Sequence, residues 1–452
     1  MPDQQKTMDR RKFLATSANA AIIAPMVMGR GPFRFAPSGK AKKYCLVGTG
    51  TRGINMWGRR LVQNYGDIVE FVGLCDRNPG RLANAKRHMG IDVPVYLDTG
   101  FDKMIRETKP DTVIVTTTDC FHAKYICRAM ELGCDVITEK PMATDEQMCQ
   151  EIVDTEKRTG KHVRVTFNYR YNPEAEKIKE ILNSGELGIV TSVDYNYFLN
   201  TSHGASYFRR WHGFKQYGGS LWVHKATHHF DLLNWWLGAE PMEVTAQGDL
   251  RKYGWNSPFR GKNCRTCPHQ QKCDFYWDIT RSEEAMRLYV DNEKYDGYIR
   301  DACLFREEIN IWDTMSANIR YHNDILLTYS LNCFMPYEGY QVGFNCTNGR
   351  LDVRVYHSQP WEQKALSDFR ISPLFSESRA FSLSETEEHT AGKGGHWGAD
   401  DKMQNMIFRG TDDPMEQTAG TRAGAMSIIV GIAARRSIEW ERTVQVDELV
   451  KY

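Results

Sequence analysis

The sequence predicts an α/β protein whose first half forms a doubly wound parallel sheet and whose second half adds consecutive antiparallel strands. Three observations predict this division. Strand and helix patterns alternate from Lys42 onward, a glycine-rich turn follows the first apolar run, and short alternating runs separated by turns fill residues 309–356. The chain has 452 residues, more than one ordinary domain holds, so two large domains are expected.

The charge balance excludes two classes of partner. Lys and Arg number 58 and Asp and Glu number 57, so the net charge is +1 with neutral histidines. A chain this balanced has no electrostatic footprint for nucleic acid or for anionic membranes. No apolar run reaches the roughly 18 residues that a membrane span needs. With 41% hydrophobic residues the chain can fold around a core, and a small-molecule partner is expected.

Apolar runs and helical stretches alternate through the first half. The predicted strands cover residues 44–47, 69–75, 112–117 and 135–138, with helical stretches between them. Strands spaced in this way form βαβ units, in which helices cover both faces of a parallel sheet. Ligands of such sheets bind outside the carboxyl ends of the strands.

A glycine motif follows the first strand, and an acid ends the second. In residues 48–53 the first glycine makes a tight turn, the second lets the backbone approach a pyrophosphate, and the third lets the helix pack on the sheet. The helix N-terminus then carries the phosphate charge. Asp76 is expected to bind ribose hydroxyls and to repel a 2′-phosphate, which favours NAD, whereas Arg77 beside it is able to accept that phosphate and leaves NADP open.

Residues 139–141, Glu-Lys-Pro, end the fifth strand, where Lys140 faces the nicotinamide end of the cofactor site. A lysine considered alone is equally often a solvated surface charge. The residues predicted to hold the cofactor are Gly48, Gly50, Thr51, Arg52, Gly53, Asp76, Arg77, Glu139 and Lys140.

These motifs, followed by Gly-Gly-Ser-Leu-Trp-Val-His-Lys-Ala-Thr-His-His-Phe-Asp at residues 218–231, resemble the Gfo/Idh/MocA (glucose–fructose oxidoreductase / inositol dehydrogenase) family. The resemblance implies a Rossmann domain, here residues 41–168, and an α+β domain with a large open, mostly antiparallel sheet, here 169–452. It also implies an active site in the cleft between them, oxidation or reduction of a hydroxyl-bearing carbon of a sugar or cyclitol, and association into a homo-oligomer through the open sheet. Lys140 corresponds to the lysine that assists the substrate hydroxyl, and His228 to the histidine that accepts or donates a proton.

The chain departs from the family pattern at one position. The common aspartate four residues before the histidine is His224 here, and Lys225 stands next to it. His224 and His228 are four apart and so share one face of a predicted helix. A site with both histidines and Lys225 is more cationic than usual, which leaves the identity of the base open. It suits a substrate with a carboxylate or keto oxygen.

Further substrate-binding candidates lie outside the main motifs. Arg170 and Asn172 follow the sixth strand, where similar segments of the family lie near the substrate. His396, late in the chain, is a candidate for closing the pocket from the second domain. Asp400 either closes the pocket together with His396 or caps the helix that follows, and capping is the role expected of it.

A cysteine group marks an insertion at residues 252–305. Cys264, Cys267, Cys273 and Cys303 have spacing that suits a closed tetrahedral zinc site, with His269 as a substitute ligand. Disulfides are the main alternative in an oxidising compartment, and an absence of both is the third. In each case the role expected is structural.

The N-terminal residues predict an export signal. Arg10-Arg11 precedes Phe13-Leu14 and a weakly apolar stretch, which resembles a twin-arginine export signal within a leader of residues 1–40. That route exports proteins that are already folded. Because it leads out of the cytoplasm, periplasmic localisation is expected. Free nicotinamide cofactor is scarce there, and a bound cofactor would have to stay bound between turnovers.

Three functions remain open on the sequence. The favoured one is an exported sugar or cyclitol dehydrogenase with tightly held NAD. The second is a redox-neutral glycosidase or lyase, in which a sugar carbon is oxidised, a β-substituent is eliminated and the hydride returns. The third is a non-catalytic protein that binds a sugar or the cofactor, which the presence of both Lys140 and His228 disfavours.

Overall fold

A computed structural model describes residues 41–357, 365–383 and 398–452. Its first sheet holds six parallel strands in the order β3-β2-β1-β4-β5-β6. They are β1 (Lys42–Val47), β2 (Val69–Cys75), β3 (Val95–Tyr96), β4 (Thr112–Val115), β5 (Asp135–Thr138) and β6 (Val163–Val165). The central strands are apolar on both faces, because helices cover both; every residue of β4 is buried. This is the doubly wound sheet that the sequence predicts.

Helices connect these strands and cover the sheet. A helical turn at Gly53–Arg59 runs into α1 (Arg60–Tyr65), followed by α2 (Pro79–Met89), α3 (Phe101–Thr108), α4 (His122–Glu131) and α5 (Glu146–Thr159). The ends of α2 and α5 show why they form where they do. The side chains of Asn78 and Asp145 cap their first turns, and Gly90 and Gly160 end them in the left-handed conformation.

The second sheet holds nine strands in the order β14-β13-β12-β11-β7-β10-β9-β8-β15 within the described ranges. They are β7 (Val190–Asn200), β8 (Pro241–Asp249), β9 (Thr314–Tyr321), β10 (Leu326–Met335), β11 (Glu338–Cys346), β12 (Gly349–His357), β13 (Leu366–Pro373), β14 (Arg379–Ser382) and β15 (Val444–Gln445). Neighbours are antiparallel except for β7 and β10. Buried and exposed residues alternate along β9, because helices cover one face of the sheet only.

The remaining helices lie in the second half and connect it to the first. They are α6 (Pro173–Asn183), α7 (Thr201–Arg209), α8 (Lys215–Gly218), α9 (Leu221–His224), α10 (Thr227–Leu237), α11 (Glu283–Leu288), α12 (Glu293–Asp296), α13 (Ala399–Arg409) and α14 (Thr421–Trp440). The long helix α14 is mostly buried. A Cβ at Gly431 would come within 2.1 Å of the Trp222 carbonyl oxygen, so glycine permits its close approach to α9. None of the helices in the described parts of the chain is both long and apolar enough to span a membrane.

The predicted strand at residues 309–320 begins later than expected. β9 starts at Thr314, because the preceding Asp313 turns its carboxylate toward a loop and accepts the backbone N–H groups of Arg251, Lys252 and Tyr253. A side chain that satisfies three loop amides fixes the chain in a non-strand conformation at that point.

Candidate active site

A cleft of about 750 Å³ lies at the carboxyl ends of the parallel strands. Residues of the glycine turn, of the ends of β2, β4 and β5, of helices α7 to α10 and of the insertion all line it. This is where an open α/β sheet places its ligands. The cleft has a nucleotide half near the glycine turn and a substrate half near α9.

The glycine turn has the geometry expected of a pyrophosphate cradle. Gly48 has φ +93°, and a Cβ there would lie 2.6 Å from the Thr116 carbonyl carbon. A Cβ at Gly53 would lie 2.2 Å from the Gly48 carbonyl oxygen, so both positions require glycine. A Cβ at Gly50 would meet nothing within 4 Å, which leaves open space above the turn. The residues present therefore fit a dinucleotide.

Asp76 and Arg77, at the ribose end of the cleft, favour different cofactors. Asp76 is buried and accepts the N–H and hydroxyl of Thr49 at 2.7 and 2.9 Å and the N–H of Asn78 at 2.9 Å. The Arg81 guanidinium, at 3.4 Å, is its weakest donor and the one a ribose hydroxyl would replace. Arg77 also lines the cleft and is exposed, so a 2′-phosphate could reach it.

The insertion reaches across to the nucleotide half through residues 283–300, here called the insertion arm. Tyr289 and Thr51 share a hydrogen bond at 2.7 Å between their hydroxyl oxygens. The Asn78 amide donates to the Asn292 carbonyl at 3.0 Å. Arg81 also bonds Asp296, which lines the cleft beside Asp76. The arm therefore contacts the same loops that would hold the adenosine ribose and pyrophosphate, a feature that the sequence does not reveal.

Glu139 and Arg52 line the cleft, and each is also bound to its surroundings. The Glu139 carboxylate accepts Arg52 Nε and Trp57 Nε1, both at 2.7 Å. Arg52 also bonds Asp400 at 3.3 Å, and Asn168 donates to the same carboxylate at 2.9 Å. The expected capping role of Asp400 is wrong, because the N-cap of α13 is Gly398. This network ties α13 to the wall of the cleft.

Lys140 lies at the boundary between the two halves. Its ammonium donates to the His224 carbonyl at 3.0 Å, which joins the end of β5 to α9. Burial lowers the pKa of Lys140 to about 8 against the opposing charges of Asp119 and Glu139. It is therefore a cation at neutral pH that loses its proton within reach of physiological conditions.

His224 pairs with Asp119, a residue missed in the sequence. The imidazole Nδ1 lies 2.5 Å from the Asp119 carboxylate, just beyond the end of β4, and both groups are buried. Burial lowers the pKa of His224 well below its usual value, with Lys140 and His212 adding to the effect, and raises the pKa of Asp119. The imidazole is therefore held neutral, and its bond to Asp119 orients it. The position of Asp119 at the carboxyl end of a predicted parallel strand was the signal that could have identified it.

His228 and Lys225 line the same half. His228 stacks on Tyr169 with ring centroids 4.0 Å apart. Lys225 is almost fully buried, donates to the Tyr169 hydroxyl at 3.1 Å and lies 4.0 Å from Glu338. Burial opposes the charge of Lys225, but Tyr169, Tyr207 and Glu338 outweigh burial and raise its pKa. The structure thus gathers Lys140, His224, Lys225 and His228 at one cleft.

Two predicted substrate contacts do not reach the cleft. Arg170 is buried, and its guanidinium binds Asp231 through two bonds of 2.6 and 2.8 Å, so it stabilises the second half instead of facing a sugar. Asn172 is the N-cap residue of α6, away from the residues that line the cleft. His396 lies outside the described residues.

The described residues do not support a zinc site. They contain no group of three or more His, Cys, Asp or Glu side chains that could hold a metal ion, and Cys264, Cys267, Cys273 and Cys303 are free thiols rather than disulfides. Cys264 Sγ instead accepts a hydrogen bond from Arg209 at 3.2 Å, and burial raises the pKa of the Cys264 and Cys273 thiols above the ordinary value. Aromatic packing of Phe275 against Tyr253 and Phe305 supplies a core for the insertion.

Comparisons with known families agree with this architecture. The family model described as "Oxidoreductase family, NAD-binding Rossmann fold" matches residues 42–167, and the model of the "C-terminal alpha/beta domain" of the same family matches residues 179–446. Fold and cleft thus define an oxidoreductase with an NAD-binding Rossmann domain. The chain belongs to the Gfo/Idh/MocA family, as the sequence motifs predict.

Three similar proteins show the range of the family. YteT of Bacillus subtilis is 38% identical over 90% of this chain and 98% of its own length. Glycosyl hydrolase family 109 protein 1 of Akkermansia muciniphila is 29% identical over 36% of this chain and 34% of its own length. The solved structure of myo-inositol 2-dehydrogenase from Lactobacillus plantarum, 16% identical, covers 90% of this chain and 99% of its own with a TM-score of 0.59, a likeness of fold.

Proposed function

We propose that the protein is an NAD(P)-dependent oxidoreductase that acts on a hydroxyl or keto carbon of a sugar or cyclitol. One observation carries this proposal. The glycine turn opens onto the same cleft as Lys140 and the Asp119–His224 pair. Family membership and the named activity of the inositol dehydrogenase relative support the choice of substrate class.

The chain's own residues divide the proton chemistry. A bound nicotinamide cofactor would accept or supply the hydride. In oxidation, neutral His224 takes the hydroxyl proton at Nε2, and Asp119 at Nδ1 stabilises the imidazolium that forms. The Lys140 ammonium, next to His224, holds the substrate oxygen and its developing negative charge. His228 and Lys225 bind further hydroxyl groups from the opposite wall.

The cofactor stays bound between turnovers in this proposal. The insertion arm supports that, because it bonds to Thr51, Asn78 and Arg81, which belong to the loops expected to hold the cofactor. Release would require these contacts to break first. NAD is the proposed form, and exposed Arg77 is the feature that keeps NADP as the alternative.

The test begins with protein purified without added nucleotide. Denaturation should release about one dinucleotide per chain, identified by mass spectrometry. Native protein is then mixed with sugars and cyclitols while absorbance of the reduced nicotinamide is followed. A signal tied to one sugar supports the proposal, whereas a chain that neither holds nor binds a dinucleotide contradicts it.

A redox-neutral glycosidase is the second candidate, favoured by the similarity to a family 109 glycosyl hydrolase. In this reaction the hydride removed from the sugar returns to the product, so no external oxidant is consumed. The same experiment separates the two candidates. Cleavage of a glycoside with no net absorbance change would identify the hydrolase.

Export and self-association complete the proposal. The Arg10-Arg11 motif supports export to the periplasm by the twin-arginine route, which replacement of both arginines by Lys in a fractionation experiment would test. Self-association is proposed through the uncovered face of the second sheet, where Asp194, Arg350 and Phe381 line a shallow cavity. Light scattering at several concentrations tests it.

A further inference from the structure

Arg210 follows α7 directly and lines the substrate half of the cleft. Its Nε donates to the Ser206 carbonyl at 3.0 Å, and its guanidinium lies over the Tyr207 ring at 5.2 Å. Among the described residues, no carboxylate lies within ion-pair distance of it, and its terminal nitrogens make no hydrogen bond. The two terminal nitrogens of the guanidinium therefore remain available as hydrogen-bond donors at the edge of the cleft.

Arg300, at the end of the insertion arm, also has a terminal guanidinium nitrogen without a partner among the described residues. Its Nη1 is buried and has no hydrogen-bond partner in the described parts of the chain. Its guanidinium instead lies 4.9 Å from the Trp277 ring and 5.9 Å from the Tyr289 ring. Burial lowers the pKa of Arg300, and the charge of Arg210 lowers it further.

Half-buried cations without an ion-pair partner are costly to fold. A buried guanidinium that is neither paired nor fully hydrogen-bonded destabilises a protein, and such groups are retained mostly where a ligand completes them. Three other cations of the cleft have partners. Lys225 has Tyr169 and Glu338, Arg52 has Glu139 and Asp400, and Arg209 donates to the Phe275 carbonyl and Cys264.

We propose that Arg210 and Arg300 form an oxyanion subsite, so that the preferred substrate is a sugar or cyclitol carrying a carboxylate or another oxyanion. This proposal rests on the function proposed above and narrows its substrate class. Planar guanidinium groups bind carboxylates and phosphates through paired N–H donors. The Tyr207 ring beneath Arg210 lies 5.3 Å from the His224 ring, which places Arg210 at the substrate end. Tyr298 and Ile299, which immediately precede Arg300, line the same cleft.

Binding of paired sugars to the nucleotide-loaded protein tests this subsite without requiring turnover. Glucuronate is compared with glucose, galacturonate with galactose, and glucose 6-phosphate with both, by calorimetric titration at low salt. The variants are Arg210→Gln and Arg300→Gln. Arg281→Gln is the matched control, because Arg281 lies in the same insertion with its side chain 86% exposed.

We expect at least one uronate to bind tenfold or more tightly than its neutral parent, and each glutamine variant to lose most of that preference while binding the neutral sugar within about threefold of wild type. The control should keep the preference. Selective binding of glucose 6-phosphate with the same arginine dependence would also support the subsite and would identify phosphate as its anion.

Three results would overturn the subsite: equal binding of charged and neutral sugars by wild type, equal weakening of both sugars in the variants, or loss of bound dinucleotide as the main effect. The last would assign the arginines to the cofactor. Arg210 is half-buried, so its variant remains informative if Arg300→Gln does not fold. A protein that oxidises charged and neutral sugars with equal kcat/KM would refute the subsite while leaving the proposed oxidoreductase intact.

Discussion

The Asp119 carboxylate lies 2.5 Å from the Nδ1 atom of His224. Asp119 lies just beyond β4 in the first half of the chain, and His224 lies at the end of α9 in the second half. The family motif lacks its common aspartate at position 224, and the parallel-sheet half supplies a carboxylate to the histidine that replaces it. The site therefore contains an acid–imidazole pair whose carboxylate comes from a residue distant in sequence.

Replacement Asp119→Asn should lower kcat for sugar oxidation by about 10²-fold or more, the usual contribution of a positioned acid–base group, with a small effect on KM. The amide keeps the shape but cannot stabilise the imidazolium. Steady-state kinetics across pH measure the effect. Asp92→Asn, on an exposed side chain that pairs with Lys86, is the matched control, and an equal loss in both variants would contradict the assignment.

The pKa of Lys140 predicts an alkaline limb in the pH profile. Burial lowers that pKa to about 8, so the ammonium is present below pH 8 and is lost as the pH rises through 8. If the charged form holds the substrate oxygen, kcat/KM for oxidation should fall above about pH 8. Lys140→Arg should move that limb beyond the accessible range, because arginine stays charged. A rate that instead rises through pH 8 in wild type and is lost in the variant would make Lys140 the base.

Local pattern predicts the fold well here, because the signals are short-range. Apolar runs of period two or of continuous burial mark β1, β2 and β9 to β12, and the glycine spacing fixes the nucleotide turn. Lys140, His224 and Lys225 follow from motifs of the same kind. Lys140 reaches the cleft because the parallel strands end at one edge, whereas packing of α9 from the second half brings His224 and Lys225 to it.

The missed contacts join residues far apart in sequence. Asp119 meets His224 across 105 residues, and Arg81 meets Asp296 across 215. Nothing local marks either pairing. Arg170 was predicted to bind the substrate because its segment resembles a substrate loop of the family. Its guanidinium instead forms a buried ion pair with Asp231, which lies 61 residues away. The spacing of the insertion cysteines likewise predicted a zinc site, but the described residues contain no group of side chains that could hold a metal ion.

The insertion arm should control how tightly the nucleotide is held. Asp296→Asn removes the ion pair with Arg81, and a hydrogen bond between charged groups contributes about 1.5–3 kcal/mol, so nucleotide release should accelerate about tenfold or more. Purified variant should carry less dinucleotide per chain. Displacement of bound fluorescent reduced cofactor by excess oxidised cofactor measures the release rate. Asp291→Asn, exposed in the same arm, should release at the wild-type rate, and an unchanged rate in Asp296→Asn would remove the arm from cofactor retention.

The Arg170–Asp231 pair should stabilise the fold and leave sugar binding unaffected. Both side chains are almost fully buried, with 6% and 1% exposed, and Ser427 donates to the same carboxylate at 3.2 Å. Arg170→Met strands a buried charge, so the free energy of unfolding in urea should fall by about 3–5 kcal/mol. The double variant Arg170→Met/Asp231→Leu should recover much of that loss, because the orphaned carboxylate is gone. Arg320→Met, which breaks an exposed pair with Asp324, should cost about 1 kcal/mol or less. A tenfold rise in KM at unchanged stability would return Arg170 to the substrate site, whereas a loss of stability at constant KM fixes it in the core of the second half.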